Sequence, residues 1–518
     1  MKGIITSLTL LFISSATITA QTFADDAAQL FYDNCATCHN PNGIAPFSIL
    51  TYADVTANAG IIYDAIAQKT MPPWPPSESY VEFSHSRALE EADRNLLLDW
   101  MTAGMPEGNP ANTPAPPVFN AGSLLGNGDL EVQIPTYMSK ATVGSDDYVC
   151  FSIPSNLLET RTIRAMEVIP GNPEIVHHCL IYLDETGTYP TDTTSGICNG
   201  PTNATLVGGY TPGSTPLIFP NGNGLKLGMD LEANSNIVFA MHFPEGSYGQ
   251  FDDTRVIFHF YDEGETGIRQ VNADPIVQNW SFMLPPEQFT PVSASYSNIP
   301  IDISLLSVFP HMHLLGSSIK SYALDPANDT IRLVNIPRWD FHWQDFYIFK
   351  NLVRIPANSE IHGEGMYDNT SSNFHNPSIP PVTVFPGLNT TDEMFIIYFH
   401  YLPYLNGDEN YDLEELSSLS LQEFSLNDNE LFEVFPNPFS ESTTLKLVGT
   451  QATNSASVSI YDYNGRLVKQ LARGEVFSSE LQLTWNGQNE SGQTVANGVY
   501  TISILMNGTP SFGKVIKK

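Results

Sequence analysis

Two kinds of residue cluster in this chain could carry redox chemistry. Cys35-Ala-Thr-Cys38-His39 has the spacing of a covalent haem attachment, in which two thiols form thioether bonds to the porphyrin and the adjacent imidazole binds the iron. Far downstream come His177-His178, Met241-His242 and Pro310-His311-Met312-His313. Imidazole and thioether donors suit copper, which cycles between two oxidation states when its ligands tolerate both. Haem and copper each move single electrons, so one polypeptide bearing both points to oxidoreductase chemistry fed from outside.

A thioredoxin-like pair is the competing reading of Cys35 and Cys38. It needs a strand–helix–strand context that the flanking sequence lacks, and it leaves His39 idle. The sixth iron ligand should be a soft donor downstream, and Met71, in Thr70-Met-Pro-Pro-Trp74, is expected to supply it because prolines pin the loop. Met101 and Met105 are rivals, but they fall on the last helix of the segment or at its end, where a Met normally packs. A Met/His pair raises the reduction potential and marks an electron carrier. His85 reads as a surface residue. Over roughly residues 25–108 the segment resembles the small class I cytochromes c.

His311 and His313 stand two apart on an expected strand, so both rings project from one face and can bracket one ion. His177 and His178 are neighbours and would point oppositely on a regular strand. Sharing an ion requires a strand edge or bulge, with a third His from elsewhere. Each histidine alone is more often a hydrogen-bonded structural residue than a ligand; their order together reverses the balance.

The motifs Tyr148-Val-Cys-Phe151, Ile175-Val-His-His178, Met241-His-Phe-Pro244, His311-Met-His-Leu-Leu-Gly316 and Asp392-Glu-Met-Phe-Ile-Ile-Tyr398 carry a resemblance running from Asp129 to Tyr401. The stretch resembles the type II copper, ascorbate-dependent monooxygenases, the family of peptidylglycine α-hydroxylating and dopamine β-monooxygenases. The resemblance implies two copper ions. His177, His178 and His242 would hold an electron-storing copper in one domain; His311, His313 and Met394 would hold the catalytic copper in the next. It also implies O2 as co-substrate, hydroxylation of a C–H bond in a small molecule, and a second electron crossing a solvent-filled cleft. Phe309 stands where peptide-amidating members carry Arg, and Ile396 where they carry a polar residue, although Tyr398 matches. A glycine-extended peptide is therefore not the implied substrate. Cys179 replaces a frequent Met.

These residues need elements to position them, and 518 residues suggest three or four domains. Lys2, the apolar run Ile4 to Ile18 and Thr-Ile-Thr-Ala20 read as a signal peptide over residues 1–20, so export to the cell surface or beyond is expected. No later segment has the apolar length of a transmembrane helix. Residues 21–108 read as an all-α cytochrome c domain with helices near Asp25–Tyr32, Thr56–Ala67 and Leu89–Met101, stopped by Gly104 and Gly108. A Pro-rich linker, 109–119, is expected to be stiff and extended.

Short Val-, Ile-, Phe- and Tyr-rich runs then recur between turn residues, predicting two antiparallel β-sandwiches at 120–280 and 281–405, joined near 275–290. An acidic spacer, 406–430, leads to a small β-sandwich at 431–518. Its Phe435-Pro-Asn-Pro-Phe439, Tyr461-Asp-Tyr-Asn-Gly465, Trp485-Asn-Gly487 and Asn497-Gly-Val-Tyr500 resemble C-terminal sorting domains of the type IX secretion system, which implies that machinery as a partner. The fold class is thus multidomain and mainly β.

With 22 basic against 56 acidic residues, nucleic acid is a poor partner. Of five cysteines, Cys150, Cys179 and Cys198 remain after haem attachment; three pairings are possible, with Cys179–Cys198 favoured for its short loop. His259, His342, His362, His375 and His400 have no assigned role, and Arg338-Trp-Asp-Phe-His-Trp343 is expected to pack near the second sandwich's core. The expected function is an exported haem- and copper-containing monooxygenase. Its cofactors are a covalent haem c and two copper ions, with electrons from ascorbate or a redox protein entering through the haem. An electron-transfer protein without oxygenase activity and a surface metal-binding protein are the alternatives.

Overall fold

A computed structural model describes residues 21–41, 43, 45–117, 123–196, 198, 200–201, 203–341, 343–417, 432–448, 454–461, 467–490, 492–496, 498–506 and 509–518. The expected signal peptide and His342 lie outside these residues. Among the described residues, no helix is long and apolar enough to cross a membrane.

The N-terminal part is helical. A π-turn at Phe23–Ala27 runs into helix Ala28–Asn34, followed by Tyr52–Ala57, Ala59–Ala67 and Glu91–Thr102. The mid helix expected over 56–67 is two helices. Thr51 and Asp54 form a reciprocal cap that starts the first, and Asn58, at φ −112° and ψ 14°, breaks it from the second. Gly104 takes φ 90° just after the last helix, as expected of a stop. Trp100 is fully buried, edge-on to Phe31 at 6.1 Å, and its indole N–H donates to Pro106 O at 3.0 Å. The linker does not simply extend: Pro110–Asn112 is a 3-10 turn, and Asn112 Nδ2 donates to Asp25 at 2.7 Å.

The first sandwich sets a four-strand sheet, in order Asp147–Pro154, Asn236–Phe243, His178–Asp184, Thr205–Tyr210, against a larger sheet. Register decides which cysteines can meet. Met241 pairs with Val149 and Cys179, whereas Ala240 pairs with Cys150 and Leu180. Side chains alternate faces along a strand, so Cys179 joins Val149 and Met241 in the core while Cys150 faces the other way. The disulfide accordingly joins Cys150 and Cys198, not Cys179 and Cys198, and Cys179 is a buried thiol.

The second sandwich orders Asn272–Asn279, Phe395–Pro403, Ile303–His311, Tyr347–Ile355 in one sheet and Phe289–Tyr296, Glu360–Asp368, Gly316–Leu324, Thr330–Ile336 in the other. Asn272–Asn279 already belongs to it, and Arg269–Gln270 pairs within the first sandwich, so the join falls at Val271 rather than 275–290. The supposed spacer is also partly structural. Leu413 and Leu416 are buried in the first sandwich's core, and buried Asp408 holds Arg269 at 2.6 Å. Residues 418–431 lie outside the described chain.

The last unit is two sheets around Trp485, which packs on Phe439 and Tyr500 at 5.3 and 5.1 Å. Its strands include Asn454–Tyr461 and Gly498–Met506, while the Asp-Tyr-Asn-Gly turn and Asn497 lie outside the described residues.

Candidate metal centres

His242 lies on strand Asn236–Phe243 directly across from His178, the first residue of its own strand. His177 precedes that strand and is held by its backbone N–H donating to His242 O at 3.0 Å. Because His177 is outside the regular ladder, the alternation that would point neighbouring rings apart does not apply. Nδ1 of His178 is 3.3 Å from Nδ1 of both His177 and His242, and the three imidazoles offer ligand atoms within 4.8 Å of one another. Three imidazole nitrogens this close can hold one metal ion between them. Burial, then the charges of His242 and His177, hold His178 well below the ordinary imidazole range, leaving it neutral and able to ligate. His242 Nε2 meets Asp146 at 2.9 Å, which turns Nδ1 inward, and Tyr148 stacks on the ring at 4.2 Å.

The second pair is built differently. The strand Ile303–His311 ends at His311, so His313 sits beyond it rather than on it. The rings still meet, with centroids 5.1 Å apart. The cause is Glu393, fully buried, whose carboxylate accepts from the N–H groups of His313 at 2.9 Å and Leu315 at 2.6 Å and holds the departing chain. Burial, partly offset by those donors, pushes Glu393 up to about 8. His311 Nδ1 meets Gln344 Oε1 at 2.6 Å and His313 Nδ1 meets Asp392 O at 3.1 Å, so in both the Nε2 lone pair is left for a metal. Burial lowers His311 to about 4 and His313 to about 3. Met394 is buried and stands two residues before Ile396, the cross-strand partner of His311. Phe309 packs on Phe346 at 4.4 Å, an aromatic wall beside His311.

Phe341, buried, lies between the two groups: its ring is 6.1 Å from His177 and 6.1 Å from His313. The space between the centres is therefore spanned by an aromatic ring and not by solvent alone. Thr390, from the second sandwich, also donates to the Tyr148 hydroxyl of the first. Phe341, Gln344, Asp146 and Glu393 are neighbours of the two groups that residue type and short spacing do not single out. A carboxylate, Glu393, directly abutting the apolar run 394–399 was the one signal available. His259, His362, His375 and His400 belong to neither group; His400, for instance, bonds Ser307 at 2.9 Å and stacks on Phe346. His85 is half-buried, not a surface residue.

In the N-terminal unit Cys35, Cys38, His39, Phe47 and Met71 line a cavity of about 440 Å³, together with Trp343 from the second sandwich. Both thiols are unpaired, and burial pushes Cys35 up to about 12. His39 Nδ1 is 3.0 Å from Phe47 O, which leaves Nε2 for the cavity. Met71 stands at the wall, 37 % exposed, whereas Met101 is buried in the helical core and Met105 packs against it.

No curated protein matches this chain. Among solved structures, dimeric latent PorU from Porphyromonas gingivalis is similar at 12% identity with a TM-score of 0.15, over 72% of this chain and 34% of that one. The chain thus spans about a third of that protein's length. Residues 439–508 match the family model for the FlgD Ig-like domain. Residues 283–417 match that for the copper type II ascorbate-dependent monooxygenase, C-terminal domain. His311, His313 and Met394 all fall within this stretch, and by that match the second sandwich is similar to the C-terminal domain of a family of copper-dependent oxidoreductases.

Proposed function

We propose that this chain is an exported monooxygenase that uses two copper ions and O2 to hydroxylate a C–H bond of a small molecule, with electrons entering through a covalent haem c. The observation that carries the reading is the convergence of three Nδ1 atoms at His177, His178 and His242, set across Phe341 from His311 and His313 within reach of a copper-monooxygenase match. The donor set is of the kind that takes copper: three imidazoles at one centre, and at the other two imidazoles with Met394 just before the strand paired to His311. Copper there supplies one-electron steps and O2 reduction.

The chain's own contribution is orientation. Gln344 and the Asp392 carbonyl engage the Nδ1 atoms of His311 and His313, and Asp146 engages Nε2 of His242, so each ring presents one nitrogen inward. Phe309, Phe341 and Ile396 are buried around the second pair and keep bulk water from it. The haem assignment rests on two unpaired thiols, an imidazole with Nδ1 already bonded and Met71 around one apolar cavity, which fit the group. Export accords with the Cys150–Cys198 disulfide, which persists in oxidising surroundings. Type IX sorting by the last unit belongs to the same proposal.

The test is O2 consumption and product formation under isotopically labelled O2, with ascorbate and the copper- and haem-loaded chain. Activity should disappear in Met394→Ala. Turnover that survives the substitution would overturn the catalytic assignment, and two bound coppers without O2 consumption would identify an electron-transfer protein instead.

A further inference from the structure

The N-terminal unit is seated on the sandwiches rather than hung from its linker. Ser84 N–H donates to Ile348 O at 2.8 Å, Lys350 N–H donates to Glu82 O at 3.2 Å, and Phe83 stacks on Phe349 at 5.4 Å. Arg87 donates to Asp345 of the second sandwich at 2.5 Å and to Gly213 O of the first at 3.1 Å, so one guanidinium ties the unit to both. On the other side of the seat, Arg338 reaches the carbonyls of Gln68 and Lys69 at 3.4 and 3.3 Å.

This seating aims the Cys35–Cys38 cavity at the second sandwich. Every described lining residue comes from the N-terminal unit except Trp343. The next residue along the chain, Gln344, bonds His311 at 2.6 Å. One peptide bond therefore separates the wall of the cavity from a side chain touching the second centre.

A second path leads to the other centre. Cys38 packs on Gly213, where an added Cβ would lie 2.7 Å from its sulfur. Tyr210, whose hydroxyl is near enough to feel the Cys38 thiol, pairs across the ladder with Cys179, the neighbour of His178. Electronic coupling weakens with every added bond and gap; the Trp343 path ends on a side chain hydrogen-bonded to His311, whereas the other must cross from strand to strand before it meets His178.

We infer, resting on the haem and copper reading above, that Trp343 and Gln344 form the conduit by which the haem supplies electrons to the His311–His313–Met394 centre directly. In each transfer ferrous haem becomes ferric and one cupric ion at that centre becomes cuprous. No bond forms or breaks, and an external one-electron donor of the ascorbate class restores the haem.

The test uses the full chain carrying haem and Cu(II), without O2. A ruthenium photoreductant reduces the haem in a laser flash; loss of the ferrous absorbance is followed in time, and the Cu(II) spin signal in freeze-quenched samples. Haem reoxidation should slow about tenfold in Trp343→Leu and return towards the native rate in Trp343→Phe. It should vanish in His313→Ala and persist in His242→Ala. An unchanged rate in Trp343→Leu at native copper content would overturn the conduit, as would loss of the phase in His242→Ala but not in His313→Ala. A native chain that takes up copper but shows no haem absorbance overturns the underlying reading as well, which separates the two failures.

Discussion

The two histidine groups reach similar ends by different construction. The first is a product of sheet register: His242 and His178 are cross-strand partners, and a backbone hydrogen bond fixes His177 beside them. The second lies where a strand has run out, and its rings are placed by Glu393, Gln344 and the Asp392 carbonyl. Ladder hydrogen bonds act cooperatively, so a centre built on them keeps its shape when one side chain is lost. A centre built on loop contacts depends on each contact.

Removing a donor from the first group should break this comparison most visibly. His242→Ala leaves two rings at that centre, and copper content should fall from two ions per chain to one, with the spin signal of the second centre intact. Loss of both ions, read by elemental analysis, would show that the centres are not independently built. Glu393→Ala tests the second side. It leaves the buried N–H groups of His313 and Leu315 without their acceptor, at about 1–3 kcal/mol for each. The melting temperature should fall and copper should leave the second centre first on titration with a chelator; equal weakening at both centres would contradict the loop-built account.

Acid gives the smallest and most graded effect. His311 and His313 are held at about 4 and about 3 in the folded chain, so they stay neutral where the unfolded chain takes up protons. The stability they contribute to the metal-free protein is full above about pH 6.5 and is lost as pH falls toward those values, by about 1 kcal/mol per ring over the first unit. Melting temperature against pH checks this, and the acid slope should flatten in His311→Ala/His313→Ala. An unchanged slope would assign the acid sensitivity elsewhere.

What could be read from sequence was whatever side-chain type and short spacing encode. Cys35, Cys38 and His39 stand within five residues and line one cavity, and the strands around 236–243 and 395–403 follow from apolar runs. What could not be read depends on partners remote in the chain. Cys150 and Cys179 differ only in which face of one sheet they occupy, a matter of register with strand Asn236–Phe243. Gln344 looks like any polar residue until the fold brings it to His311, 33 positions away. The residues 406–417 look like solvated linker because acidic groups dominate them, yet Leu413 and Leu416 are spaced to bury one apolar side.

The strand Tyr347–Ile355 is the outermost of its sheet, and the Glu82–Ser84 segment lies against it. Bare outer strands invite pairing with another molecule, since their unmet amide and carbonyl groups are a template. The helical unit thus doubles as a cover. A chain shortened to start after residue 117 would uncover that margin along with Tyr347 and Phe349, now buried against Trp74 and Phe83. Clumping of such a truncated form would report a lost shield, even with both histidine groups in place.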